Sequence, residues 1–196
     1  ITATAMVAAA VMALAGCGSS GTADSAASGS SGSAGSGLSS PLPRSATVEP
    51  VRLPSCRAEL IGTAGSSARR AILYLHGGAF LTCGLNTHRS FAAQLSRSAD
   101  AEVLNVGYRM LPAHGLSAAL SDAVDGLRWL LRRGYHWSDI VVAGDSAGGY
   151  LALQTAADLL RHGHPPTAGV AATTPAVSDR TMTLRAASVR PRMAMV

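Results

Sequence analysis

The chain has 196 residues, of which 47% are hydrophobic, 4% aromatic and 14% charged, enough for one domain and a tail. With 21 Gly and 9 Pro it is no collagen, coiled coil or acidic disordered chain, and no apolar run reaches the roughly 18–20 residues of a spanning helix. All 16 basic residues are Arg, and the net charge of +5 is spread unevenly: Arg44 cancels Asp24, residues 45–178 carry 11 Arg against 9 acids, and residues 179–196 carry four Arg against Asp179. Over half the excess therefore sits in the last stretch rather than on one face of a folded domain, and no nucleic-acid partner is expected.

Residues 1–17 read as a signal peptide: an Ala/Val/Met/Leu stretch follows Met6 and ends Leu14-Ala15-Gly16-Cys17. Residues 18–44 read as a disordered linker, since Gly18 to Ser40 holds 10 Ser, 6 Gly and 4 Ala in 23 residues and cannot bury enough apolar surface to order itself. From Ser45 strands and helices alternate. Ala71 to Leu75 is a short apolar strand ending at a Gly-Gly turn, and Arg89 to Asp100 is helical, with Phe91, Leu95 and Ala99 on one face. Val103 to Tyr108 is the next strand. Ser117 is expected to cap a long helix whose apolar stripe is Leu120, Val124, Leu127 and Leu131. Asp122 and Asp125 fall on its expected solvated face, with Arg128 and Arg132 as partners. Ile140 to Ala143 is a β-branched strand, a helix runs from Ala147 to Arg161, and Val170 to Thr174 is a further strand. This alternation specifies an α/β fold, a mostly parallel sheet with helices on both faces.

Two segments carry chemistry. Gly144-Asp145-Ser146-Ala147-Gly148 has the form Gly-x-Ser-x-Gly between a strand and a helix, the setting of a nucleophile elbow. Its glycines permit a turn too tight for a Cβ on either flank, and the helix that follows favours negative charge at the Ser hydroxyl. His76-Gly77-Gly78-Ala79-Phe80 follows an earlier strand, and a loop so rich in glycine can turn several N–H groups to one point, where with that of Ala147 they would hold an oxyanion. Adjacent residues at a tight turn point apart, so Asp145 is not expected to be a triad acid. No His or Cys spacing suggests a metal site, and no cofactor is expected. Cys56 and Cys83 read equally well as a disulfide or as two free thiols.

The two motifs together resemble the α/β-hydrolase esterases of the hormone-sensitive lipase family. Tyr108-Arg109 with Pro112 and His114, Ala118-Ala119-Leu120 with Trp129-Leu130, and Pro175 to Asp179 are similar to further stretches of that family. The resemblance implies a carboxylic-ester hydrolase acting on short to medium acyl esters, with Ser146 as nucleophile, Gly77, Gly78, Ala79 and Ala147 around the oxyanion, and His76, Gly144, Asp145 and Gly148 supporting the motifs. Leu14 to Cys17 resembles the lipobox of bacterial lipoproteins, implying lipidation of Cys17 and a membrane-anchored, exported domain.

The family's acid and His follow the nucleophile at a distance. Here Asp158 and His162 lie too far down the helix that begins at Ser146, about 18 and 24 Å at 1.5 Å per residue, to reach its hydroxyl. The hydrolase core, residues 45–179, is therefore expected to be incomplete, truncated before its acid and His, and residues 180–196 to be a divergent tail. Against the esterase stands a second reading: a non-catalytic ligand-binding domain, or an inactive fragment, on the same scaffold. His76 and His114 lie after strand ends on the active-site edge of the sheet and could be asked to serve as a substitute base, but their counterparts in the resembling family hold loops together, and that role is expected here.

Overall fold

A computed structural model describes residues 42–43, 45–64 and 69–173. Cys17, nearly all of the 18–44 linker, Pro175 to Asp179 and the 180–196 tail lie outside the described residues. The strands are β1 (Ala46–Arg52), β2 (Arg57–Thr63), β3 (Ala71–Leu75), β4 (Glu102–Gly107), β5 (Ile140–Asp145) and β6 (Gly169–Thr173). The helices are α1 (Leu85–Ala99), α2 (Leu116–Arg132) and α3 (Ala147–Arg161).

One six-stranded sheet runs in the order β1-β2-β4-β3-β5-β6. β3, β4, β5 and β6 are parallel, while β1 and β2 form an antiparallel hairpin whose second strand pairs antiparallel with β4. The sheet is thus mostly parallel, with the hairpin as an antiparallel edge. β3 is buried throughout, the pattern of a central strand covered on both faces. Ile72 and Tyr74 face α1 together with Ile61, Val103 and Val141. Leu73 and Leu75 face α2 and α3, with Leu104, Val106 and Val142. The chain leaves β3 for β4 on one side, then crosses back to β5 on the other. The order therefore reverses between β3 and β5, and the crevice beyond their carboxyl ends is where such sheets bind ligands.

Three details depart from the sequence expectations. Helix α1 starts at Leu85, where Thr87 Oγ1 accepts from Gly84 N–H at 3.0 Å, rather than at Arg89. Helix α2 begins at Leu116 on Gly115, without a side-chain cap from Ser117. Its buried face is Ala119, Ala123, Gly126, Leu127 and Leu130, turned by about one residue from the expected stripe. Gly126 lets it come close: a Cβ there would lie 2.7 Å from Leu73 Cδ1. That rotation carries Asp122 into the interior, fully buried instead of solvated. Its carboxylate accepts from Arg109 N–H at 2.8 Å and from the guanidinium Nη2 at 2.9 Å, tying the segment after β4 to α2. Asp125 pairs with Arg128 as expected.

Candidate active site

β3 and β5 pair in parallel with Leu75 opposite Gly144, so the segments leaving them start side by side. Ser146 stands between β5 and α3 at φ 50° and ψ −118°. A non-glycine residue held there stores about 1–3 kcal/mol of strain, kept only where the surroundings over-determine it. The surroundings do so here. A Cβ on Gly144 would lie 2.3 Å from Gly148 O, and one on Gly148 would lie 2.0 Å from Leu75 O. Ser146 N–H donates to Thr173 O at 2.6 Å, and its carbonyl accepts from Tyr150 N–H at 3.1 Å. Its hydroxyl does not cap α3, and no side chain among the described residues hydrogen-bonds to it.

The loop after β3 is strained as well. Gly78, Ala79 and Phe80 have φ of 120°, 55° and 61° in succession. Gly78 O accepts from Leu81 and Thr82 N–H, both at 3.0 Å, which closes the turn. Among the described residues, the N–H groups of Gly78, Ala79 and Ala147 have no hydrogen-bond acceptor. The last of these is at the N-terminus of α3, where the helix dipole adds to the attraction for an anion.

Gly77 is a correction. Its N–H donates to Asp145 Oδ1 at 2.8 Å, so it is not free to face an oxyanion. Asp145 does point away from the Ser146 hydroxyl, into the α1 side of the sheet. There Tyr74 OH donates to the same Oδ1 at 2.6 Å, and His88 Nε2 lies 3.8 Å from Oδ2. Burial pushes the Asp145 carboxyl up, but the contacts from His88, Tyr74 and Gly77 outweigh it and hold the group below its ordinary value. Burial, and next the Asp145 charge, push the Tyr74 hydroxyl well up, so it remains a donor.

His76 is fully buried, its ring stacked 4.4 Å from that of Tyr108 and 5.4 Å from that of His88. Burial lowers its pKa, opposed in part by the hydrogen bond of Nδ1 with Gly77 O at 2.8 Å. Tyr108 OH donates to His76 O at 2.6 Å. His76 therefore braces the loop and makes no bond to Ser146, while His114 is exposed. At the far end of α3, the His162 ring bonds Asp158 O. A cavity of about 1020 Å³ opens on the β2–β4 side of this loop, lined by Leu53, Cys56, His76, Cys83 and Tyr108 among others; Ser146 does not line it. Cys56 and Cys83 are both free thiols. The structure sets Ser146 and Ala147 after β5 and Gly78 and Ala79 after the neighbouring β3; sequence reasoning missed the supports Tyr74 and His88. A Tyr within the aliphatic run Ala-Ile-Leu-Tyr-Leu was the available signal for Tyr74; His88 offered none.

A mostly parallel sheet with a strained Ser between strand and helix, next to a glycine-rich loop that leaves the neighbouring strand, defines an α/β hydrolase. The family described as alpha/beta hydrolase fold matches residues 72–194, and the chain belongs to it. The chain is 51% identical over 135 residues to Esterase LipU of Mycobacterium tuberculosis, covering 66% of this chain and 46% of LipU. The crystal structure of EstE5 soaked with p-nitrophenyl butyrate superposes with a TM-score of 0.66 at 36% identity, over 69% of this chain and 46% of EstE5. An esterase from the bacterial hormone-sensitive lipase family superposes with a TM-score of 0.65 at 34% identity, over 68% and 45% of the two chains. The chain thus spans about half the length of these relatives.

Proposed function

We propose that this chain is a serine carboxylic-ester hydrolase for short to medium acyl esters. Ser146 Oγ attacks the ester carbonyl, and the N–H groups of Gly78, Ala79 and Ala147 hold the oxyanion of the tetrahedral intermediate. The alcohol then leaves with a proton, and water releases the acid from the acyl-serine. Each donor of this kind is worth roughly 2.7–4 kcal/mol of barrier. Among the described residues no side chain hydrogen-bonds to Ser146 Oγ to take its proton. The observation that carries the reading is a strained Ser146 in a turn tied through Asp145 and Gly77 to the loop of Gly78 and Ala79, with the N–H groups of Gly78, Ala79 and Ala147 left without an acceptor among the described residues; the esterases among its relatives support it. Cys17 and the Ser/Gly-rich linker would tether the domain to the outer face of a membrane.

The test is hydrolysis of p-nitrophenyl butyrate, the ester soaked into the similar EstE5 crystal. Turnover above that of Ser146→Ala is expected. Equal rates in the two proteins would overturn the reading.

A further inference from the structure

The geometry points to Asp145 as the positioning residue of the oxyanion loop: its carboxylate locks the Gly77 amide to the nucleophile turn and so sets where the Gly78 and Ala79 amides stand relative to Ser146. The inference rests on the esterase reading above and deepens it.

Asp145 immediately precedes Ser146, and Gly77 immediately precedes Gly78. One carboxylate therefore joins the two halves of the site at a distance of one residue from each. Its Oδ1 accepts from both Gly77 N–H at 2.8 Å and Tyr74 OH at 2.6 Å. A Cβ on Gly77 would lie 2.2 Å from Oδ2 and 3.0 Å from Cγ, so the peptide lies against the carboxylate with no room for a side chain. The carboxylate is itself held: Tyr74 is fixed in the core by the packing of β3 against α1, and His88 on α1 faces Oδ2 at 3.8 Å. Beyond Gly77 the loop passes through three successive positive φ angles, a conformation that needs an outside constraint to persist. A charged acceptor on a backbone N–H is about twice as strong as a neutral one. Ser146 itself makes no hydrogen bond to this loop, so the Asp145 link is the direct polar tie between them among the described residues.

Two variants and one titration test this. Asp145→Ala removes the acceptor, while Asp145→Asn keeps an oxygen for Gly77 and Tyr74. In Asp145→Ala the Gly77 amide should exchange with solvent at least about tenfold faster, and kcat on p-nitrophenyl butyrate should fall at least about tenfold with KM little changed, since the oxyanion donors act mainly in the transition state. Asp145→Asn should restore most of both. In the unmodified chain, the Gly77 amide resonance should shift with the Asp145 carboxyl as it titrates, an arm that needs no variant to fold. Unchanged Gly77 exchange in Asp145→Ala, or a Gly77 resonance that ignores the titration, would overturn the inference. So would faster exchange with kcat intact. If the wild type shows no Ser146-dependent turnover, the esterase reading fails, and the amide measurements alone decide whether Asp145 anchors the loop.

Discussion

Gly148 and Gly149 open α3 side by side, and a methyl group added to each should have very different consequences. At Gly148 the new Cβ would lie 2.0 Å from Leu75 O and 2.6 Å from His76 O. Ordinary contact begins at 3.4 Å, so about 1.4 Å has to open between the helix N-terminus and the end of β3. The obstacle is backbone, and β3 is paired on both sides, so it cannot retreat by a change of rotamer. Overpacking a core typically costs about 1–3 kcal/mol when side chains can adjust. With none to adjust, Gly148→Ala should cost about 3 kcal/mol or more, well beyond the ~1 kcal/mol that alanine gains over glycine in a helix. At Gly149 the nearest atoms are Gly144 O at 3.1 Å and Thr173 O at 3.2 Å, a shortfall of only about 0.3 Å. Strain and helix gain should nearly cancel there, leaving Gly149→Ala within about 1 kcal/mol of the parent. Urea unfolding followed by circular dichroism at neutral pH measures both, with the midpoint shift taken at unchanged slope. Equal losses in the two variants would refute the argument that the approach of α3 to β3, rather than helix propensity, requires Gly148.

Tyr108→Phe keeps the ring stacked on His76 but takes the donor from a buried carbonyl, and should cost about 1–3 kcal/mol in the same assay; a loss below about 0.5 kcal/mol would mean that the His76 carbonyl finds another partner. His76, with Tyr108 and His88 against its ring and Asp145 nearby, has a pKa below its unfolded value of 6.5, so its contribution is complete above that pH and is lost as pH falls through the folded value. The unfolding free energy should accordingly drop on acidification from pH 7, less so in His76→Asn, and equal slopes in the two proteins would sink the assignment. Burial pushes the Cys56 thiol up to about 12, whereas Cys83 is exposed, so in a Cys17→Ser background a thiol reagent at pH 8 should modify Cys83 first and half-buried Cys56 far more slowly. In a bacterial host, a clickable palmitate analogue should label the chain and not Cys17→Ser; an unlabelled wild type would remove the proposed anchor.

What the sequence made legible follows from how locally each feature is determined. β3 and α3 have the expected bounds because one is an unbroken apolar run and the other starts at a glycine-flanked Ser. The β1–β2 hairpin was not singled out, since Pro50 interrupts its first strand and no Asn-Gly or Asp-Gly marks the turn. The charge of Asp122 points to solvent; its burial depends on Arg109, thirteen residues away in the segment after β4, which only the tertiary structure brings alongside. The role given to Gly77 failed for a similar reason. Its N–H is taken by a carboxylate 68 residues further along the chain, and a loop sequence shows how many amides it has but not which are already used.

The same distinction explains how a chain spanning about half the length of its relatives holds these two segments side by side. The nucleophile turn and the oxyanion loop leave adjacent parallel strands whose ladder fixes Leu75 against Gly144, and Asp145 ties the two segments again just beyond the sheet. Their relative position is therefore set by hydrogen bonds within and beside two neighbouring strands, on a core that β4, α1, α2 and α3 complete. A general base has no such support: it must reach Ser146 Oγ as a side chain from another element, to within hydrogen-bond distance. Under the proposed function, substrate polarisation by Gly78, Ala79 and Ala147 and activation of Ser146 are thus separable in this fold. A chain with the first but not the second should still bind an oxyanion mimic while hydrolysing esters slowly, with the residual rate set by the Asp145-anchored loop.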